Sequence, residues 1–135
     1  MSKQIIRTKY APAPVGPYSQ AVVLDGWIWT SGQVALDPIT GAMIGSDAPA
    51  QTDRVLQNIK AILQAAGSSL DRVVRVTVYL KSMDDFSAVN KVYLRYFPDA
   101  FPARSSVEVS RLPLGALVEI DAVARVTRAQ ETPSD

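Results

Sequence analysis

The sequence predicts an α/β (α+β) domain with a single mixed sheet of five to six strands and two helices packed on one face. Three observations predict this class. Apolar residues alternate with polar ones in several short segments, they follow helical spacing in two longer segments, and the two kinds of segment are interleaved along the chain. With 135 residues, 47% of them apolar, the chain is long enough for one domain, 1–135, with its own core.

A hairpin is predicted near the start of the chain. The apolar runs 21–24 and 27–29 flank an Asp25-Gly26 pair, which favours a two-residue turn because both residues tolerate positive φ. Trp27 and Trp29 share one side of the second strand, and this spacing favours core or interface packing. The preceding segment 11–17, with three prolines and a glycine, is expected to form an irregular loop.

Two amphipathic helices follow. The first is expected to begin at a cap from Ser46 or Asp47 and to end at Gly67 in a left-handed C-cap. Ser82 and Asp85 have capping-box spacing before the second helix. The apolar stripes of the two helices are Val55, Leu56, Ile59, Ile62, Leu63 and Ala66, and then Phe86, Val89, Val92, Tyr93, Tyr96 and Phe97.

Alternating segments predict the remaining strands, at 74–81, 103–110 and 116–128, so the element order is β-β-β-α-β-α-β-β. The helices are expected to cover the face with Val74, Val76, Val78 and Leu80. The opposite face is expected to carry Thr77, Arg104, Ser106, Glu108, Glu119 and Asp121 with some apolar residues. A face of this mixed character predicts a homo-oligomer. Residues 129–135 are expected to form a flexible tail.

Composition excludes several kinds of chemistry. The net charge is +1, which argues against a dedicated nucleic-acid surface or a polybasic membrane anchor. The chain has neither histidine nor cysteine, so it has no disulfide, no thiolate nucleophile, no Ser-His triad and no ordinary zinc site. The spacing of the glycines matches neither the Walker nor the Rossmann phosphate-binding pattern. No secretory signal or membrane span is apparent, and a cytoplasmic location is expected.

Three polar residues are candidates for chemistry. Arg104 presents a planar fork suited to a carboxylate, although the pattern alone favours an ion pair with Glu108 or Glu119, since structural ion pairs are common. Glu119 lies in an otherwise apolar strand, where partial desolvation would suit a general base, but an open sheet face would leave it solvated. Asn90 lies at the edge of a helical apolar stripe, where it either contacts a site or caps a backbone group.

Several segments together resemble one family, the RidA/YjgF reactive-intermediate deaminases. They are GPYSQA at 16–21, TSGQ at 30–33, VN at 89–90, FPARSSVEVSRLP at 101–113 and VEI at 118–120. The likeness runs from about Ile5 to Arg128, and the order and spacing of the segments match as well. The most specific of these segments is the one around Arg104.

The resemblance implies a chorismate-mutase-like fold and a homotrimer with sites in the clefts between subunits. It also implies the hydrolysis of 2-imino acids, such as 2-iminobutanoate and 2-iminopropanoate, to 2-keto acids and ammonia. The implied reaction needs no cofactor and no metal, which agrees with a chain lacking histidine and cysteine.

The same resemblance implies roles for individual residues. Arg104 would hold the substrate carboxylate, and Glu119 would activate the attacking water. The implied pocket residues are Tyr18, Ser31, Gly32 and Asn90, with Tyr18 at or across a subunit boundary. Many family members have cysteine two residues after the motif arginine, where this chain has Ser106. The serine puts substrate preference in question and removes any control through a thiol.

Two other functions remain as alternatives. A non-catalytic member of the same fold would use the cleft to bind a small carboxylate as a sensor or partner protein. An RNA-acting protein is the third hypothesis, and the near-neutral charge and the lack of histidine argue against it. The presence of both Arg104 and Glu119 favours the enzyme.

Overall fold

Six strands and two α-helices make up the computed structural model, which describes residues 2–127. The strands are β1 Gln4–Ile6, β2 Ala21–Leu24, β3 Trp27–Thr30, β4 Val73–Leu80, β5 Ala103–Glu108 and β6 Val118–Arg125. The helices are α1 Ala48–Ala65 and α2 Phe86–Tyr96. The predicted class and element order are therefore confirmed, while the expected tail at 129–135 lies outside the described residues.

The strands form one mixed sheet in the order β1-β2-β3-β6-β4-β5. All neighbours pair antiparallel except β4 and β5, which are parallel because α2 crosses over between them. Both helices pack on one face and bury the apolar side chains of β4 and β6 beneath them. The core residues with no more than 1% exposure include Val55, Leu56, Ile59, Ile62, Leu63, Val76, Val78, Leu80, Val118 and Ile120.

The structure confirms the predicted turn of the hairpin and both predicted ends of the first helix. Asp25 and Gly26 adopt φ of 53° and 80°, as the turn between β2 and β3 requires. The Asp47 carboxylate accepts a hydrogen bond of 2.9 Å from the Ala50 N–H and caps α1. Gly67 follows α1 with φ 79° in the left-handed region.

The starts of β4 and α2 differ from the sequence predictions. The register of β4 against β6 shifts between Val73 and Arg75, so Val73 is buried and Val74, predicted to point inward, is 43% exposed. Ser82 does act as a cap, since its hydroxyl accepts the Asp84 N–H at 3.2 Å, but it caps a 3₁₀ turn, Met83–Asp85, that precedes α2, and not α2 itself. The Glu108 carboxylate also accepts the Met83 N–H of this turn at 2.7 Å. One local and one distant acceptor therefore satisfy N–H groups of the turn.

The polar side chains of β5 point to the face opposite to the one predicted, and this difference bears directly on the candidate site. Arg104 is paired with Val76, Ser106 with Val78 and Glu108 with Leu80, and paired residues point to the same face. These partners lie in the core, so the three polar residues occupy the helix side of the sheet, opposite to the prediction. The reason is that β5 is an edge strand at the margin of the helical layer, where polar side chains still reach solvent.

The other face of the sheet is left open by the helices. Trp29 is 52% exposed and Trp27 is 37% exposed on this face, opposite Val123 and Arg125 of β6. Thr77, Tyr79, Glu119 and Asp121 lie on the same face. The mixed open face is thus present, with two large aromatic side chains in contact with solvent.

Candidate active site

Glu119 lines a cavity of about 300 Å³ at the end of the open face. Residues just after β3, the proline-rich loop before β2 and the turn before β6 form the walls. The cavity brings together four of the predicted site residues, Tyr18, Ser31, Gly32 and Glu119. These residues are up to about a hundred positions apart in sequence, so the pairing of β3 with β6 creates the cavity.

The proline-rich loop over this cavity is held by Gln20, which is 3% exposed. Its Oε1 accepts the Thr8 N–H at 2.8 Å, and its Nε2 donates to the carbonyl oxygens of Thr8, Ala11 and Pro12 at 3.0, 3.2 and 2.9 Å. Prolines supply no N–H groups, so the loop's carbonyls need donors from elsewhere. Sequence reasoning missed Gln20, and the nearby prolines were the available signal.

Ser31 and Tyr18 shape the cavity wall through their hydroxyl groups. The Ser31 hydroxyl donates to the Ser19 carbonyl at 2.5 Å, and the Ser31 N–H donates to the Gln20 carbonyl at 2.9 Å. The Tyr18 hydroxyl accepts the Val15 N–H at 3.2 Å, and 46% of the Tyr18 side chain is exposed. Both residues therefore fix the loop, and Tyr18 also remains accessible at the rim.

Gly32 is packed against the Glu119 side chain. A Cβ atom at position 32 would lie 2.0 Å from Glu119 Oε2 and 2.8 Å from the carboxyl carbon. No side chain fits there while the carboxylate keeps its position, because real Cβ atoms do not approach so closely. The close approach explains a glycine at a position where backbone dihedrals do not demand one.

Replacing Gly32 by alanine should therefore displace the Glu119 carboxylate. If Glu119 has the role that the sequence resemblance implies, we expect Gly32→Ala to lower the rate of the implied imine hydrolysis about a hundredfold, the cost of misplacing a reacting group by about 1 Å. A Gly41→Ala variant is the control for a general loss of stability: its φ of 75° makes alanine strained there, but a Cβ at 41 meets nothing within 4 Å and leaves Glu119 in place. Circular dichroism would check folding, and an unchanged rate for Gly32→Ala would contradict the assigned contact.

The environment of Glu119 favours the protonated carboxyl. Burial raises the pKa of Glu119 above its usual range, and the charge of Asp121 raises it further. Burial also raises the pKa of Asp121, while the Tyr79 hydroxyl donates to Asp121 Oδ2 at 3.1 Å and lowers it in part. A carboxylate with a raised pKa is a stronger base at neutral pH, so Glu119 is suited to accept a proton from water.

Arg104 and Asn90 line a second cavity, of about 330 Å³, on the helix side of the sheet. Its other walls are Tyr93, Leu94, Phe101 and Pro102. Arg104 Cζ lies 4.6 Å from the Tyr93 ring centroid and 5.7 Å from the Phe86 ring centroid. Among residues 2–127, Arg104 forms no ion pair, so neither Glu108 nor Glu119 occupies its guanidinium.

The guanidinium lies over the faces of two rings of α2. Burial raises the pKa of the Tyr93 hydroxyl and the adjacent Arg104 lowers it in part, so the hydroxyl also lies close to the guanidinium. A cation over an aromatic face is attracted by the ring quadrupole, and this contact leaves the planar edge of the guanidinium free for a carboxylate. Phe86, Asn90 and Tyr93 are spaced at i, i+4 and i+7, so one stripe of α2 surrounds Arg104. Such an arrangement can bind a small carboxylate.

Removing the Tyr93 ring should weaken carboxylate binding. We expect Tyr93→Leu to cost about 1 kcal/mol, or about fivefold in the Kd of a 2-keto acid. Tyr93→Phe keeps the ring and is the control: the Tyr93 hydroxyl is buried and has no hydrogen-bond partner within the described residues. Isothermal titration calorimetry measures both. Equal weakening by the two substitutions would contradict a role for the ring.

A single chain does not bring all predicted site residues together. Arg104 and Glu119 lie on opposite faces of the sheet, in separate cavities. Ser106, next to Val78 on β5, lines neither of these two cavities. A ligand that touches both Arg104 and Glu119 would therefore have to lie between two chains.

The described part of the chain contains neither a metal-binding cluster nor a membrane-spanning helix. Across residues 2–127, no group of histidine, cysteine, aspartate or glutamate side chains could hold a metal ion. None of the helices there is long and apolar enough to cross a membrane.

The fold and the two cavities define a class of protein: a small α+β domain with a carboxylate of raised pKa on its open sheet face and, on its edge strand, an arginine that has no ion pair among residues 2–127. The model of the family described as Endoribonuclease L-PSP matches residues 8–126. The chain belongs to this family, the RidA/YjgF family, and the family expected from the sequence motifs is confirmed.

Individual relatives agree with this assignment. A RutC family protein of Pyrococcus abyssi is 52% identical over 124 residues, which is 92% of this chain and 98% of the relative. A 2-iminobutanoate/2-iminopropanoate deaminase of Capra hircus is 47% identical over 90% of this chain and 89% of its own length. The crystal structure of the YjgF gene product of E. coli superposes with a TM-score of 0.86 at 44% identity, covering 90% of this chain and 98% of that one.

Proposed function

We propose that this protein is a deaminase that hydrolyses 2-imino acids to 2-keto acids and ammonia, in sites formed between the subunits of a homotrimer. The observation that carries the proposal is the separation of two groups onto opposite faces of one chain: the Arg104 guanidinium, which has no ion pair within the described residues, and the Glu119 carboxylate with its raised pKa. The deaminase relative, at 47% identity, supports the same reaction.

The chemistry requires little beyond positioning and one base. Arg104 would bind the substrate carboxylate through two N–H donors, with Asn90 beside it. Glu119 would take a proton from water as the water oxygen bonds to the imine carbon, giving a carbinolamine. Glu119 then returns this proton to the nitrogen, the C–N bond breaks, and ammonia leaves as the hydroxyl proton of the carbinolamine passes back to Glu119 and the C=O bond forms. One water is consumed, and the products are a 2-keto acid and ammonia.

The open face supports assembly of the subunits. Trp27 and Trp29 are large aromatic side chains exposed beside Val123, and burying such a patch stabilises an interface. Tyr18 lies at the rim of the Glu119 cavity, where a neighbouring subunit would approach. In this arrangement one subunit supplies Glu119, Ser31 and Gly32, and the next supplies Arg104 and Asn90. Ser106 would border the joined site from β5.

An imine-trapping assay tests the activity. Threonine dehydratase generates 2-iminobutanoate from threonine, and semicarbazide traps the imine as a semicarbazone. The protein should divert imine to 2-oxobutanoate and lower the semicarbazone signal in proportion to its concentration. If the wild type is inert on 2-iminobutanoate and 2-iminopropanoate but binds 2-keto acids, the alternative of a non-catalytic carboxylate-binding protein replaces the proposal.

Mixing subunits tests the composite site. At substrate concentrations well below the KM of the arginine variant, Arg104→Ala and Glu119→Gln chains are each expected to lose nearly all activity as pure oligomers. If each site takes these residues from different subunits, a 1:1 mixture refolded together should recover about a quarter of the wild-type activity, since each of two independent subunit choices is correct half the time. Sedimentation of the wild type should show a trimer. A stable monomer, or a mixture without recovery, contradicts the site between subunits.

The family description keeps an RNA-acting protein as a second candidate. The net charge of +1 and the absence of histidine are unfavourable for phosphate binding and for ordinary hydrolytic RNA cleavage. The same preparation should therefore neither cleave RNA nor bind it in a salt-dependent way. Salt-dependent RNA binding without imine hydrolysis would favour this second function.

A further inference from the structure

Leu114 has an unusual backbone conformation in the turn before β6. Its φ and ψ are 58° and 25°, in the left-handed region that disfavours residues with a Cβ, and Gly115 follows with φ 69°. A hydrogen bond of 3.1 Å from the Ala116 N–H to the Pro113 carbonyl closes the turn. The Leu114 side chain is 62% exposed, so core packing does not account for its orientation.

The side chain of Leu114 lines the Glu119 cavity. Apart from Gln33 and the polar groups already described, the walls are prolines and aliphatic residues, among them Pro12, Pro14, Val15, Leu36, Pro113 and Leu114. Glu119 is the one charged residue in the lining as the structure describes it. Such walls suit a neutral aliphatic group, and they offer no cation to a substrate with an acidic side chain.

We infer that Leu114 is a specificity-determining residue that selects 2-imino acids with branched aliphatic side chains, an inference that rests on the proposed deaminase function. With the substrate carboxylate at Arg104 and the imine carbon at Glu119, the side chain of the substrate extends along the apolar wall. Leu114 meets it there. Strained backbone is often found where it positions a side chain for function, and this turn places Leu114 at the wall of the Glu119 cavity.

Two substitutions separate the side chain from the backbone. Leu114→Ala removes the isobutyl group and keeps the strained conformation, while Leu114→Gly removes both. The imino acids of leucine and alanine, generated by an amino-acid oxidase, are the two substrates. Both variants should lose about tenfold in kcat/KM for the leucine-derived imine, as expected for lost apolar contact, and stay within about twofold of wild type for the alanine-derived imine.

Asp25→Gly is the control for relief of backbone strain, since Asp25 also has positive φ and lies in the β2–β3 turn, away from both cavities. It should leave the ratio of the two substrates unchanged. Equal losses on both imines, or a change confined to Leu114→Gly, would show that the turn backbone matters and the leucine side chain does not. No loss in either variant would also overturn the inference.

The affinity for the 2-keto acid products gives a second measurement, which does not depend on catalysis. The wild type should bind 4-methyl-2-oxopentanoate about tenfold more tightly than 2-oxopropanoate, and both variants should lose this preference. If the wild type hydrolyses neither imine but shows the preference, the deaminase proposal fails and the role of Leu114 stands as a binding determinant. If the wild type binds the two keto acids equally, the inference about Leu114 fails whatever the activity.

Discussion

Replacing Glu119 by glutamine is expected to lower kcat for imine hydrolysis by about 10²–10⁴-fold, the contribution typical of a positioned general base. Glutamine has nearly the same shape, so the contact with Gly32 is kept and the oligomer should remain intact. KM should change little, because the substrate carboxylate is bound by Arg104. Steady-state kinetics with the semicarbazide assay measures both constants. A fall in kcat of less than about threefold would contradict a role for Glu119 as the base.

Asp121→Asn is the matched control for Glu119→Gln, since both are carboxylates on the same face of β6. This variant should keep most of the activity. Because the Asp121 charge raises the pKa of Glu119, removing it should lower that pKa. The base must be ionised to act, so activity falls as pH decreases through the pKa of Glu119. The acid limb of the pH–rate profile should therefore lie above the ordinary range for glutamate and move to lower pH in Asp121→Asn.

The same pKa shift has a consequence for stability. The folded-state pKa of Glu119 is raised, so its contribution to folding is present below the unfolded pKa and is lost as pH rises through the folded pKa. Glutamine does not titrate. Glu119→Gln should therefore melt at a higher temperature than wild type at neutral pH, and the difference should shrink as pH falls. This gain in stability together with lost activity distinguishes a catalytic role from a structural one.

Local sequence signals predicted most elements because the relevant interactions are local. The Asp25-Gly26 turn, the cap at Asp47 and the ending at Gly67 each depend on residues within one turn of chain, and all three are confirmed. The alternation in β6 correctly separates Glu119 from the buried residues beside it, since β6 is a central strand covered by helices on one face only. In β6, polar residues therefore mark the open face.

The same reasoning failed at β5 because an edge strand is not forced to separate polar from apolar residues. Arg104 was placed with Glu119 on one face, whereas the pairing of Arg104 with Val76 puts it on the other. That register is set by contacts between segments almost thirty residues apart, which spacing within β5 cannot reveal. The prediction that Val74 points into the core was wrong for a related reason, since a register shift in the pairing of β4 with β6 turns its side chain outward.

The candidate site was predicted as a set of residues but not as an arrangement. Motif residues identified Arg104, Glu119 and the residues around them, yet only the fold shows two cavities on opposite faces. Gln20, which anchors the loop over the Glu119 cavity, was missed because its three carbonyl partners are 8 to 12 positions away. Long-range hydrogen bonds leave no periodic trace in a sequence.

Replacing Arg104 by alanine is expected to raise KM for the imino acid about a hundredfold, corresponding to loss of about 3 kcal/mol from a bidentate, charge-assisted pair. The carboxylate is bound similarly in the ground state and the transition state, so most of the loss should appear in KM and less in kcat. Binding of 2-oxobutanoate should weaken by a similar factor. Arg95→Ala, which removes an exposed arginine of α2 that lines neither cavity, is the control for net charge.

Arg104→Lys separates charge from geometry. Lysine keeps the positive charge but lacks the planar fork that stacks on Tyr93 and grips two carboxylate oxygens, so its KM should lie between those of wild type and Arg104→Ala. Added guanidinium ion should partly restore activity to Arg104→Ala, because Tyr93 and Phe86 still form the aromatic walls of the vacated position. A lysine variant equal to wild type, with no rescue of alanine, would mean that Arg104 supplies only long-range charge. The aromatic walls of α2 would then have no part in binding the carboxylate.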